Sequence, residues 1–175
     1  SVFQHAKNRA LWLMLLMLSA TVSGEILAHY ESAMAVMPIL ITFIPMLMGT
    51  SGNCGSQSST MVIRGIAVGE IEFKEFFKVV FKEIRIAILV GVMLAVVNGI
   101  RIYIMYDQDI MLAIAIGITM IAIVCMAKCI GCTLPLFAKK IGLDPALMAA
   151  PLISTIMDTC TILMYFAIIT AFFKL

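Results

Sequence analysis

Charged side chains are scarce in this sequence. Lys and Arg together number 12 and Asp and Glu 10, so charged residues make up 13% of the 175 positions and the formal net charge is +2. Hydrophobic residues reach 63%, and the mean hydropathy of +1.11 is far above that of a soluble domain of this size. The composition predicts a chain surrounded by membrane lipid. Its weak, mixed charge gives no reason to expect a nucleic acid as a partner.

Linkers and repeats are also missing. No Pro-rich or Gly/Ser-rich linker and no repeated block divides the chain, so we predict a single transmembrane domain covering 1–175. A spanning helix needs about 20 mainly apolar residues, and five sparsely charged runs approach that length. The sequence therefore predicts an all-α membrane protein with five transmembrane helices, at 10–28, 33–50, 86–106, 110–127 and 146–173.

Basic residues are unevenly distributed around these runs. With the N-terminus in the cytoplasm, only Arg101 and Lys174 would lie toward the outer side, and all other Lys and Arg residues would lie toward the inner side. This asymmetry follows the rule that inner segments are the more positive ones. We therefore predict an N-in, C-out, multi-pass protein of a cell membrane, the inner or plasma membrane of a prokaryote.

The segment at about 70–85 has the pattern of an amphipathic helix. Phe73 and Phe76 begin a series of apolar residues at spacings of three and four, and basic residues such as Lys78 and Lys82 lie on the opposite side. The pattern predicts an interfacial helix at the cytoplasmic surface of the membrane. A docking surface for a regulatory domain is the alternative interpretation.

Groups that commonly bind metals or act as nucleophiles are few. The sequence has two His, neither of them inside a predicted span, and five Cys that fall in or beside apolar runs. Cys129 and Cys132 have the spacing of a metal site but no companion His or second pair, so we interpret them as packing residues. These absences argue against a transition-metal trap and an intramembrane protease, and we do not expect an enzyme.

An uncharged polar stretch follows the second predicted span. No residue from 32 to 63 carries a charge, yet positions 48–60 hold three glycines together with hydroxyl and amide side chains such as Asn53 and Gln57. Facing lipid, these dipoles would be costly because no water is present to satisfy them. The stretch indicates either a hydrated ion path or a close crossing of helices with small residues.

Asp158 is a lone carboxylate between two long uncharged runs. Such a charge within a spanning helix costs several kcal/mol and is typical of a residue that faces a polar cavity. Ser154, Thr155 and Thr161 lie three or four positions away and share its helical face. A helical rise from residue 146 would place it roughly 18 Å along the span, near mid-membrane. A structural Asp, protonated or paired with a buried Lys or Arg, is the alternative.

One carboxylate cannot neutralise a divalent cation, but two related by a two-fold axis can. Mg²⁺ keeps several of its waters and is usually held by one or two carboxylates, which fits one Asp158 from each of two chains. We therefore predict a homodimer that binds hydrated Mg²⁺ on the symmetry axis. Mn²⁺ and Ca²⁺ are the alternative ions for the same site.

Two motifs in the sequence are specific when they occur together. The first is PMLMGTSGNCGSQSSTMVIRG at 45–65, and the second runs from GLDPA at 142–146 through Pro151 to Asp158. Together they closely resemble the membrane domain of the MgtE family of magnesium channels. The resemblance covers essentially the whole chain.

The resemblance implies a homodimer with five helices per subunit and a pore on the two-fold axis, formed largely by the second and fifth helices. It implies that Asp158 contacts hydrated Mg²⁺, with Ser154 and Asn53 as further metal contacts. The other pore-lining candidates are Thr50, Gly52, Gln57, Thr155 and Thr161.

The predicted function is therefore Mg²⁺ transport across the membrane. The alternative is a cation-coupled secondary carrier for Mg²⁺ or for another divalent metal such as Mn²⁺ or Co²⁺. Members of the family usually carry an N-terminal helical domain and paired CBS domains that sense cytosolic Mg²⁺. Because the sequence begins at Ser1, a few residues before the first predicted span, we expect these domains to be absent, in a shortened chain or a naturally short relative.

Overall fold

The computed structural model describes residues 1–107 and 109–175, and all regular structure in these two ranges is helical. This confirms the all-α prediction. The α-helices are α1 (Val2–His29), α2 (Glu31–Val36), α3 (Ile44–Ala67), α4 (Phe76–Met105), α5 (Ile110–Lys140) and α6 (Ala150–Phe173). Short 3₁₀ segments occupy Pro38–Phe43, Phe73–Glu75 and Pro145–Met148.

α5 lies at the centre of the bundle. It packs against α3, α4 and α6, and its buried residues include Ile116, Ile123 and Leu136, all of them without measurable exposure. α5 continues well beyond the predicted span at 110–127, through Pro135 in its interior. The hydrophobic core of the protein is therefore built around one apolar helix that packs against three other long helices.

α1 lies at the edge of the bundle and packs on α6. The contact includes a hydrogen bond of 2.7 Å between the hydroxyls of Ser23 and Thr159 and a stack of the Tyr30 and Phe166 rings with centroids 4.5 Å apart. The rest of α1 exposes large apolar side chains, as lipid-facing helices do.

Three of the described helices are long and apolar enough to cross a membrane by length and composition: Val2–His29, Ile110–Lys140 and Pro151–Phe173. Together with the composition, they indicate a multi-pass membrane protein.

The second predicted helix, at 33–50, is wrong in its boundaries. The structure breaks the chain at Met37 (φ −134°, ψ 77°), turns it through the 3₁₀ segment and begins α3 only at Ile44. The physical reason is Pro38, which disfavours the α conformation for the residue before it. Pro45 then fits the first turn of α3, where no backbone N–H is needed. The glycine-rich stretch consequently lies within α3 rather than after a helix.

The amphipathic segment at about 70–85 is not a separate helix in the structure. α3 ends before a turn at Gly69, whose φ of +75° is readily adopted by glycine. After the 3₁₀ segment Phe73–Glu75, the chain continues as α4 from Phe76 to Met105 without interruption. The apolar and basic faces therefore belong to the first turns of a long helix.

Glycines allow the close approach of α5 to its neighbours. A Cβ on Gly91 of α4 would lie 3.1 Å from Cα of Ile121. On the other side of α5, a Cβ on Gly131 would overlap the carbonyl oxygen of Gly55 and lie 3.0 Å from its C and Cα atoms. At this crossing the backbones of α3 and α5 touch, which fixes the position of the polar part of α3.

Candidate cation-binding groove

A groove of about 440 Å³ lies between α3 and α6. It brings together polar residues that are about 100 positions apart in the sequence. Its lining residues are Ile44, Pro45, Met48, Gly49, Gly52, Asn53, Ser154 and Asp158.

The α6 wall of the groove carries its charge. The chain is extended at Ala149, and α6 begins at Ala150 with Pro151 in its first turn. Asp158 is therefore eight residues into the helix, about 12 Å from its start, rather than on a continuous rise from residue 146 as the sequence predicted. Ser154 lies one turn before Asp158 on the same side, so its hydroxyl and the carboxylate face the groove together.

Asp158 is half-buried. Among the residues that the structure describes, none forms a hydrogen bond or an ion pair with its carboxylate. Two basic residues within the long helices bind other groups: Lys128 pairs with Glu83, and Arg101 donates to Oδ1 of Asn98 at 2.8 and 3.0 Å. A carboxylate that no cationic side chain neutralises suits a mobile cation.

The α3 wall is neutral. Pro45, Gly49, Asn53 and Gln57 are exposed at intervals of four residues and form an exposed row along α3. On the side toward α6, a Cβ on Gly52 would lie 3.4 Å from Ser154 Oγ. Because Gly52 has no side chain, the α3 backbone stays close to the Ser154 hydroxyl, and the groove holds one hydroxyl, one amide and one carboxylate side chain.

The structure brings four of the predicted site residues to this groove: Asn53, Gly52, Ser154 and Asp158. The other four lie outside it. Thr50 is half-buried outside the lining, and Thr155 Oγ1 donates to the carbonyl of Pro151 at 2.8 Å.

Thr161 and Gln57 have different surroundings from the groove residues. Thr161 is 1% exposed, and its hydroxyl has no hydrogen-bond partner in the described part of the chain. It therefore faces the interior of the bundle. Gln57 lies on the exposed row of α3, one turn beyond Asn53, and its Oε1 accepts a hydrogen bond of 3.0 Å from Lys128 Nζ.

Sequence reasoning missed a buried ionic cluster beside the groove-forming helix. Glu83 of α4 is 6% exposed and Lys128 of α5 is 2% exposed. Glu83 Oε2 accepts a hydrogen bond of 2.6 Å from Ser58 Oγ on α3 and lies 3.8 Å from Lys128 Nζ. The only sequence signals were a Glu among basic residues and a Lys inside a long apolar helix; the Lys had been assigned to the inner side with the other basic residues, and the Glu had been given no role.

The chain is similar to known proteins over most of its length. A family model described as "MgtE: Divalent cation transporter" matches residues 44–168, which include both walls of the groove. The chain is 32% identical over 160 residues to a magnesium transporter MgtE of Thermus thermophilus, covering 91% of this chain and 35% of that protein.

Two further relatives carry the same name. The Bacillus subtilis magnesium transporter MgtE is 32% identical over 167 residues, covering 95% of this chain and 37% of the relative. That of Enterococcus faecalis is 29% identical over 172 residues, covering 97% and 37%. The chain thus spans a little over a third of the length of these curated relatives.

Proposed function

Since the chain belongs to the MgtE family of divalent cation transporters, we propose that it carries Mg²⁺ across a cell membrane through a pore formed by two copies. The observation that carries this proposal is the groove in which Asp158, Ser154 and Asn53 meet without a neutralising side chain. Magnesium transport is what the names of its relatives state, and the groove supplies a chemical basis for it here.

The chemistry of the groove favours a hydrated dication. Mg²⁺ gives up its waters reluctantly, so it is best held by one or two carboxylates together with acceptors for the hydrogens of its waters. Asp158 supplies the carboxylate, and Ser154 and Asn53 supply neutral oxygens that bind weakly enough for the ion to leave. A second Asp158, from a partner copy across a two-fold axis, would complete the neutralisation.

The exposed row of α3 supports the dimer. Gly49, Asn53 and Gln57 are exposed, and in a lipid environment such polar positions would be costly unless water or protein covered them. A homodimer that faces these rows toward each other places them along an aqueous path instead. The pore would then lie on the two-fold axis, between the α3 and α6 helices of the two copies.

Five helices of each copy would cross the membrane in this arrangement. Besides the three apolar spans, α3 has 24 residues and α4 has 30, which correspond to about 36 and 45 Å at 1.5 Å per residue. Both exceed the hydrocarbon thickness of about 30 Å. With the N-terminus inside, five crossings place the C-terminus outside.

Asp158→Asn is the test of the ion site. The substitution is nearly isosteric and removes only the charge, so we expect a folded protein whose Mg²⁺ uptake in proteoliposomes, followed with an entrapped Mg²⁺ dye, falls to the level of empty liposomes. Asp109→Asn is the matched control, because the Asp109 side chain caps α5 by accepting from Leu112 N at 2.9 Å and Asn caps helices equally well. Uptake by Asp158→Asn equal to that of the control would refute the proposal.

The same proteoliposomes separate a pore from a cation-coupled carrier. A passive pore transports Mg²⁺ down its own gradient, whereas a coupled carrier requires a proton or sodium gradient. Competition by Mn²⁺, Co²⁺ and Ca²⁺ against Mg²⁺ uptake then ranks the ions that the site accepts.

A further inference from the structure

The ionic cluster behind α3 joins three helices. Ser58 of α3 donates to Glu83 of α4 at 2.6 Å, and Lys128 of α5 lies 3.8 Å from the same carboxylate oxygen. Lys128 Nζ also contacts Ser58 Oγ at 3.3 Å and Gln57 Oε1 at 3.0 Å. The ammonium therefore links a buried carboxylate to an amide on the exposed surface of α3.

The chemistry of these groups fixes the orientation of Gln57. An ammonium group has three donors and no acceptor, so the atom of Gln57 that faces Lys128 must be the carbonyl oxygen. The NH₂ group of Gln57 is then the part of the amide for which the described residues supply no hydrogen-bond partner. Since Gln57 follows Asn53 by four residues on the exposed row, that NH₂ group lies one turn further along the same surface.

Stability alone is a poor reason for such a cluster. Removing two charges from water is expensive, and a buried ion pair replaced by uncharged residues of similar volume often leaves a protein equally stable or more so. The separation of 3.8 Å between Lys128 and Glu83 is also loose compared with the 3.0 Å contact from Lys128 to Gln57. The shorter of the two contacts leads to the surface and not to the counter-charge.

We propose that the buried Lys128–Glu83 pair is a positioning device for Gln57, which turns the Gln57 carbonyl away from the ion path and presents its NH₂ group there. The inference rests on the proposed function. The outer hydrogens of a hydrated Mg²⁺ need acceptors, so an NH₂ group at this turn does not hold the ion. The ion is then retained at Asp158 and is not held a second time at Gln57, so it leaves the site readily.

The decisive experiment is a double-mutant cycle between the Lys128–Glu83 pair and Gln57, with Mg²⁺ uptake as the measurement. The double variant Glu83→Gln/Lys128→Met removes both charges, while the amide introduced at position 83 keeps a partner for Ser58, and it frees the Gln57 carbonyl to face the path. We expect tighter retention of Mg²⁺, with both the KM and the maximal rate of uptake lowered by about three-fold or more, since a more strongly held ion leaves more slowly. With Gln57→Ala in the background, the same double change should alter neither value, because no carbonyl remains to be released.

A contribution of the pair to folding alone would give the opposite pattern. The double change would then alter uptake equally with and without Gln57, and that additivity overturns the inference. Lys128→Arg keeps a charged donor behind Gln57 and should retain the KM of the wild type, whereas a KM equal to that of the double variant would also overturn it.

A second variant keeps the test valid if the double variant does not fold. Gln57→Glu keeps both Lys128 and Glu83: one carboxylate oxygen takes the place of the carbonyl beside Lys128, and the other replaces the NH₂ group on the path, so the KM for Mg²⁺ should fall. An unchanged KM means that Gln57 is not on the path and the inference is wrong. Failure of the proposed function is recognised separately, because it leaves Asp158→Asn as active as the wild type.

Discussion

The contact between Gly131 of α5 and Gly55 of α3 provides a sharp test of the packing that positions the groove. In Gly131→Ala, the new Cβ would overlap the carbonyl oxygen of Gly55 and lie 3.0 Å from two further backbone atoms. Alanine gains about 1 kcal/mol over glycine in a helix interior. Overpacking costs typically about 1–3 kcal/mol, occasionally more, and here the high end applies because no rotatable side chain can move aside.

The expected net effect is a loss of about 2 kcal/mol, which for a chain of this size corresponds to a midpoint of thermal unfolding roughly 4–8 °C lower. The assay is thermal unfolding of the purified protein in detergent, combined with Mg²⁺ uptake in proteoliposomes. Uptake should also fall, because relieving the overlap displaces α3 and with it Asn53 in the groove.

Gly117→Ala is the matched control. Gly117 is also a buried glycine of α5, but among the described residues its Cβ would meet only the Cβ of Ala95 at 3.8 Å, an ordinary van der Waals contact. This variant should be as stable as the wild type or up to about 1 kcal/mol more stable. A Gly131→Ala protein that unfolds at the temperature of the control and transports at its rate would refute the close approach of α3 and α5.

Two further substitutions test buried polar contacts through the same unfolding measurement. Tyr165→Phe removes the hydroxyl that donates to the carbonyl of Leu40 at 2.7 Å inside the bundle, so we expect a loss of about 1–3 kcal/mol, and an unchanged midpoint would contradict this hydrogen bond. Lys128→Met alone leaves Glu83 buried without its counter-charge and should cost about 3–5 kcal/mol, whereas adding Glu83→Gln should recover most of that loss. Equal stability of the single and double variants would show that the two side chains are not a buried pair.

Helical periodicity and the family motifs were enough to anticipate the all-helical fold and several residues that meet in the groove. Ser154 and Asp158 are one turn apart, so any helix through them places both on one side. The side chains three or four positions from Asp158 nevertheless point in somewhat different directions around α6. Packing against the neighbouring helices determines which of these side chains are buried. Thr161 faces the interior for that reason.

Helix boundaries were harder to predict around 33–50. Pro38 and Pro45 each fit the first turn of a helix, and the apolar pattern runs through both. The choice between them depends on contacts such as that of the Tyr165 hydroxyl with Leu40, 125 positions apart. The pairing of Glu83 with Lys128 was hidden in the same way, because no local pattern shows that α3, α4 and α5 converge there.

The central place of α5 has a consequence for biosynthesis. Ribosomes make the chain from its N-terminus, so α3 emerges before the helix that holds its polar side chains: Ser58 precedes Lys128 by 70 positions, and Ser59 precedes the carbonyl of Met148 that it bonds by 89. Until the C-terminal half is synthesised, these α3 side chains lack the hydrogen-bond partners that they have in the folded protein. Nascent chains halted before α5 should therefore be more accessible to proteases and quality-control factors than those halted after α6.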